Sequence, residues 1–208
     1  LILFYAIEVL WIGPVDGIND DWGMYSTLSG AYLGYPDAHV LFFLYPLSFV
    51  LSRLYTLYSF LPWYGLFLHG VQILCLYMIY DKSMQLWHRH GSTDAFWKPA
   101  LTICCILFFI VDLNVLSEAQ YTTTAGLAAA AALFCFATTR STLTAAAFLC
   151  NSIPVFLFAW TAFCMRQNIL YLMLPMAGML WLAKWIHAYR NGAGYTACKF
   201  LGFAGILL

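Results

Sequence analysis

Long apolar stretches parted by short polar ones run the length of this chain. A spanning helix needs about 20 apolar residues, and helices satisfy their own backbone hydrogen bonds in lipid. Each long stretch therefore predicts a membrane-spanning helix. Leu1 to Gly13 reads as a first such helix cut short at its start, ended by Gly13-Pro14. Trp63 to Tyr80 carries an aromatic residue at each end, where the membrane interface favours one. Pro99 to Leu116, Thr124 to Thr138, Thr144 to Met165 and Ile169 to Ile186 follow. The run from Thr124 is rich in alanine, and small side chains let helices approach closely. Polar pieces separate them: Val15 to Asp37, a charged loop at Asp81 to Lys98, a turn at Ser117 to Thr123, and a loop at His187 to Lys199. The pattern predicts an all-α, polytopic helical membrane protein with about six spanning helices in one transmembrane domain over 1–208. Phe200 to Leu208 is an unfinished apolar run and Leu1 is not a methionine, so the chain reads as the amino-terminal part of a longer one.

One segment breaks the pattern. His39 to Leu61 is apolar, but Pro46 interrupts it, and it carries Arg53 and tyrosines at 45, 55 and 58. Its length permits either a crossing or a helix lying along the membrane. Lysine and arginine mark the cytoplasmic side. Lys82, Arg89 and Lys98, then Arg140, then Lys184, Arg190 and Lys199 share one side if every strong span crosses once, with Glu118 and Arg166 opposite. The side taken by the loop before His39 depends on whether His39 to Leu61 crosses.

Composition agrees with the pattern. Charged residues make up 9% of the chain against 63% apolar and 19% aromatic, where a soluble domain carries roughly 25% charged. Net charge is zero and there is no basic stripe, which argues against nucleic acid as a partner. The seven cysteines include no C-x-x-C pair, and six of them fall inside apolar segments as small buried residues. His88-Arg89-His90 lies in a basic loop and reads as a solvated run rather than a metal site.

Candidate chemistry centres on Asp20 and Asp21, adjacent carboxylates among only nine acidic residues. Their mutual repulsion calls for a proton, a cation or a substrate, unless they serve as a helix cap in a solvated loop. If His39 to Leu61 does not cross, Asp16, Asn19, Asp37 and His39 join them on the outer face. Asp112, Asn114, Glu118 and Gln120 approach from the end of a later span, and Arg166 from a turn. Glu8 sits about 7 Å inside the first helix, at a depth where ionisable groups usually face a cavity. One carboxylate of such a cluster can accept a proton from an attacking hydroxyl or amine. Another can orient the acceptor or hold a divalent cation, Mg²⁺ or Mn²⁺, although carboxylates also work without metal. An arginine can grip a phosphate leaving group, or be no more than a flanking charge.

Asn-Asp-Asp at 19 to 21, Leu-Ser-Gly at 28 to 30, Tyr-Pro-Asp-Ala-His at 35 to 39 and Pro-Trp-Tyr-Gly-Leu-Phe at 62 to 67 resemble bacterial polytopic glycosyltransferases of the GT-C type. Gln-Tyr-Thr-Thr at 120 to 123, Met-Arg-Gln at 165 to 167 and Leu174-Pro175 fit the same resemblance, which covers most of residues 10 to 180. It implies an enzyme of the bacterial cytoplasmic (inner) membrane that takes a sugar from a polyprenyl-phosphate carrier on the outer face. The acceptor is then a glycan or lipid at the cell surface. It further implies a first extracytoplasmic loop, residues 14–62, with an acidic pair holding the catalytic base and helices lying along the membrane. Asp20 takes the role of base and Asp21 that of its partner, or the reverse, with Asn19, Asp37, His39, Glu118, Gln120 and Arg166 as substrate-binding residues. The chain departs from better-known branches at His39-Val40-Leu41, where those carry His-Pro-Pro, and it ends before any outer carboxy-terminal domain. The competing expectation is a transporter or flippase of lipid-linked sugars or small solutes, in which Glu8, Asp20 and Asp21 are coupling carboxylates. A glycan polymerase ranks below both, because only Arg53 and Arg166 are placed to face outward.

Overall fold

A computed structural model of the chain describes residues 15–16, 19–89, 106, 118–139 and 145–190. Helices dominate: α1 (Asn19–Ser29), α2 (Tyr45–Leu57), α3 (Trp63–Arg89), α4 (Tyr121–Thr138), α5 (Ala145–Met165) and α6 (Gln167–Arg190). Two short strands, β1 (Val15–Asp16) and β2 (Glu118–Ala119), pair in parallel with Val15 opposite Glu118. Four helical stretches are long and apolar enough to cross a bilayer: Trp63–Leu86, Tyr121–Thr138, Phe148–Met165 and Gln167–His187. The chain is a helical membrane protein. The expected spans Leu1 to Gly13 and Pro99 to Leu116 lie, Ile106 apart, outside the described residues.

The polar stretch after β1 has no apolar periodicity to announce a helix, yet α1 forms there. Asp20 and Asp21 sit in its first turn, where negative charge complements the helix dipole. Its Met24 and Leu28 side chains enter the core, and that burial outweighs the helix cost of Gly23. Gly30 ends the helix at φ +82°, and a Cβ there would stand 2.5 Å from the Tyr35 carbonyl carbon. Only glycine fits. The chain folds straight back, with the Asp37 amide donating to the Thr27 carbonyl at 3.1 Å.

Pro46 begins α2 rather than breaking it, because the first turn has no use for the amide that proline lacks. The helix runs 13 residues, about 20 Å at 1.5 Å per residue, well short of a hydrocarbon core of about 30 Å. No spanning helix forms within 39–61. Its inner face is Ser48, Leu51, Ser52 and Tyr55, while Phe49, Val50 and Leu57 point outward. The buried serines cost little, since each hydroxyl donates to a carbonyl one turn back, Ser48 to Tyr45 at 3.1 Å and Ser52 to Phe49 at 3.0 Å.

Three boundaries differ from the sequence expectation. Asp81 to Arg89, expected as part of a charged loop, continues α3. Side chains one turn apart hold it: Gln85 Nε2 donates to Asp81 Oδ2 at 2.7 Å, and Ser83 Oγ donates to the Ile79 carbonyl at 2.7 Å. Tyr121 to Thr123, expected in a turn, form the start of α4, and His187 to Arg190, expected in a loop, end α6. Polar residues at helix ends remain helical because water and headgroups still solvate them.

Helix α4 is the centre of the bundle. Ala125, Ala128, Ala129 and Ala132 recur at helical spacing and are all buried, with Cys75 of α3 and Ala162 of α5 in the same cluster as Ala128 and Ala129. Small residues on one stripe let three helices pack closely. By contrast α6 turns Leu172, Leu174 and Met179 outward, as suits a lipid-facing helix. The amino ends of α3, α4 and α6 and the carboxyl end of α5 meet at one end of the bundle. At the other, Lys184 Nζ donates to the Thr139 carbonyl at 2.6 Å and lies 5.3 Å from the Phe136 ring, closing the carboxyl end of α4.

Candidate functional site

The two neighbouring aspartates part company on α1. Asp21 is 2% exposed. Its Oδ1 accepts from the Tyr64 hydroxyl at 2.5 Å and from the Tyr121 amide at 3.1 Å. Gln120, at the cap of α4, makes no side-chain cap bond, so a carboxylate 100 residues earlier supplies it. Tyr64, at the start of α3, is fixed in turn: its amide donates to the Tyr55 hydroxyl of α2 at 2.9 Å. Asp21 thus ties α1 to the amino ends of both α3 and α4.

Tyr121 carries the network further. Its ring stacks on Phe42 at 5.1 Å and meets Phe43 edge-on at 6.3 Å. The Arg166 guanidinium lies 5.5 Å from the ring centre. Arg166 Nη1 donates to Thr122 Oγ1 at 2.6 Å and to the Tyr121 hydroxyl at 3.3 Å. Arg166 itself is the one residue between α5 and α6.

Asp20 faces the other way. It is exposed and lines a half-open cavity of about 280 Å³ whose walls include Trp22, Tyr32, His39, Leu41 and Phe42. Here one wall is aromatic and apolar, and the polar groups include the Asp20 carboxylate, the His39 imidazole and the hydroxyls of Ser26, Thr27 and Tyr32, a mixture typical of ligand pockets. His39 is not loose. Its Nδ1 lies 2.7 Å from Asp37 Oδ1, and its amide donates to the same oxygen at 3.0 Å. These bonds from His39, the side-chain one foremost, hold the Asp37 carboxyl below the ordinary carboxylate value. An ionised Asp37 only accepts, so the proton of the pair sits on Nδ1, leaving Nε2 as the ring's outward polar atom.

Of the residues expected in a site, Asp20 and His39 share the cavity, and Asp37 holds His39. Asp21, Gln120 and Arg166 lie beside it in the framework and do not line it. Gln120 serves through its carbonyl, which accepts from the Thr124 hydroxyl at 2.8 Å. Asn19 opens α1 and Glu118 pairs in the bridge, each placed by its backbone. Glu8, Asp112 and Asn114 lie outside the described residues. Among the described residues no three His, Cys, Asp or Glu side chains gather in a way that could hold Mg²⁺ or Mn²⁺. Sequence reasoning gave no role to Trp22, Phe42, Tyr64 or Tyr121. Tyr64 and Tyr121 do fall inside the Pro-Trp-Tyr-Gly and Gln-Tyr-Thr-Thr motifs, which is the signal that could have found them.

Fold and site together define a helical membrane protein with a small helical cap, α1 and α2, folded over one end of its bundle. The chain matches no family model, no curated protein and no solved structure.

Proposed function

We propose that this protein is a membrane glycosyltransferase that moves a sugar from a polyprenyl-phosphate donor to a cell-surface glycan or lipid, with Asp20 as general base. The observation that carries the reading is the division of labour on α1: Asp21 is built into the framework, and Asp20 stands at an aromatic-walled cavity. In the step, Asp20 takes the proton of the acceptor hydroxyl as that oxygen bonds to the anomeric carbon. The bond from the anomeric carbon to the phosphate oxygen breaks, and its electron pair leaves with the phosphate. Trp22, Leu41 and Phe42 offer apolar surface for the lipid and for the sugar's less polar face. The acidic cap lies at the end of the bundle away from Lys82, Lys184 and Arg190. The positive-inside tendency then puts the cap on the outer face of a bacterial cytoplasmic membrane.

Asp20→Asn keeps the shape and removes the base. Transfer from a polyprenyl-phosphate sugar should fall by a factor of about 10² to 10⁴, with the unfolding temperature lowered only slightly, because Asp20 is exposed and gives up no more than its interaction with the α1 dipole. Wild-type rates in that variant would end the assignment. Orientation is open to an independent check: a cysteine placed at Ala31, which is exposed, should react with an impermeant maleimide added to intact cells. A cysteine at the exposed Tyr189 should react only after the cells are opened.

A further inference from the structure

Lys184 is the single lysine or arginine in the apolar length of α6, Gln167–His187, which holds no acidic residue. It lies 17 positions into that helix, about 26 Å along its axis at 1.5 Å per residue. That depth is at the far edge of a hydrocarbon core of about 30 Å. A lysine there ordinarily runs its side chain out to water. This one turns inward: Nζ donates to the Thr139 carbonyl at 2.6 Å and rests 5.3 Å from the Phe136 ring. An ammonium has three N–H bonds to give, and the other two meet no acceptor among the described residues.

Charge and shape identify what reaches them. Lys82 and Arg190 lie at the same end of the bundle, and Asp81 is the one acidic side chain described there. Asp81 is engaged, accepting from Gln85 Nε2 at 2.7 Å. This end therefore attracts anions. Beside Lys184 stands a flat wall: Trp181, one turn earlier, stacks on Trp185 with ring centres 6.5 Å apart and planes 8° apart, and Trp185 stacks on Tyr189 at 6.1 Å. Leu182 and Ile186 face outward next to it. Indole and phenol rings favour the headgroup level. A small anion would have to leave water to reach Lys184, whereas a lipid phosphate already sits at that depth. Basic pockets between spanning helices hold anionic headgroups in this way.

We infer that the phosphate of an anionic glycerophospholipid accepts from Lys184 Nζ, in the leaflet that faces Lys82 and Arg190. Its acyl chains lie along the Trp181–Trp185–Tyr189 wall. The site is at the opposite end of the bundle from the Asp20 cavity and does not depend on the glycosyltransferase reading.

Native mass spectrometry of the whole chain in detergent, titrated with dioleoyl phosphatidylglycerol or dioleoyl phosphatidylcholine, tests it. The wild type should prefer phosphatidylglycerol at least about fivefold. In Lys184→Met the preference should shrink to within about twofold, while Lys184→Arg keeps it. Unchanged phosphatidylcholine binding and helicity in both variants control for folding. Millimolar glycerol 3-phosphate should not displace the bound lipid, since the wall holds its chains. Displacement by that headgroup alone would overturn the choice of a lipid over a soluble phosphate. A preference kept in Lys184→Met, one lost in Arg166→Gln at the opposite end, or none in the wild type would overturn the site.

Discussion

The cap and the bundle both bury apolar side chains, but the cap adds buried polar bonds that the alanine stripe of the bundle lacks. In the bundle, α4 meets its neighbours through a stripe of alanines and Cys75, Cys135 and Ala162, each contributing a small, shape-dependent contact. In the cap, Met24 and Leu28 bury α1 in a core shared with α3 and α4, and a few directional bonds set its exact position, chiefly those of Asp21, with Tyr55, Tyr64 and Tyr121 as intermediaries. The Leu44 amide, just before α2, adds one more by donating to the Cys164 carbonyl of α5 at 2.8 Å. Close packing spreads its load and tolerates small losses. A buried carboxylate concentrates its load, and its loss should be felt at once. The difference explains how a candidate site can be set precisely on a helix of poor intrinsic propensity: its precision comes from α3 and α4 underneath.

The sharpest way to break this contrast is Asp21→Ala. It leaves the Tyr64 hydroxyl and the Tyr121 amide without that acceptor, and should cost about 3 kcal/mol. Proteolysis should then cut the cap first, with bundle helicity retained by circular dichroism. Simultaneous loss of cap and bundle would show that the two are one cooperative unit. Next comes Ala128→Leu in the stripe, which overpacks the α3–α4–α5 contact and should cost about 2 kcal/mol. Here the bundle should loosen while Asp20 and His39 keep their local arrangement, as reported by probes on the cap. A smaller effect is expected at Gln72, fully buried on α3, whose Nε2 donates to Thr124 Oγ1 at 2.9 Å. Interhelical bonds of this kind average about 0.6 kcal/mol. Since Gln72 Oε1 has no partner among the described residues, Gln72→Leu should shift thermal unfolding very little.

The least effect on stability, and the most local, belongs to Asp37. A carboxylate whose folded pKa lies below its ordinary value of 3.8 contributes stability above that value. It loses that contribution as pH falls through the lowered one. The His39 amide resonance should therefore titrate on the acid side of 3.8. A titration centred above 3.8 would mean that the Asp37–His39 contact does not hold in solution.

Much of this was legible in the residues. Apolar runs from Trp63, Thr124, Thr144 and Ile169 announced four helices because lipid leaves the backbone no other partner. Their ends were less legible: Asp81 to Arg89 is polar, and polarity alone does not separate an exposed helical turn from a loop. The acidic pair stood out at once as Asp20-Asp21. What adjacency could not convey is that successive helix positions point about 100° apart, so neighbours in sequence can face the core and the solvent.

By itself, then, the sequence determined the solvent of this protein, the helical form of its spans and the short list of groups able to do chemistry. These follow from composition and period, which act locally. The fate of each group was decided only in three dimensions. Asp21 became a cap for α4, Arg166 a partner of Tyr121 and Thr122, and His39 a partner of Asp37 on the cavity that Asp20 also lines, through contacts that span from 2 to 100 residues. A buried charge is stable only where distant donors converge on it, and that convergence is a property of the packed chain.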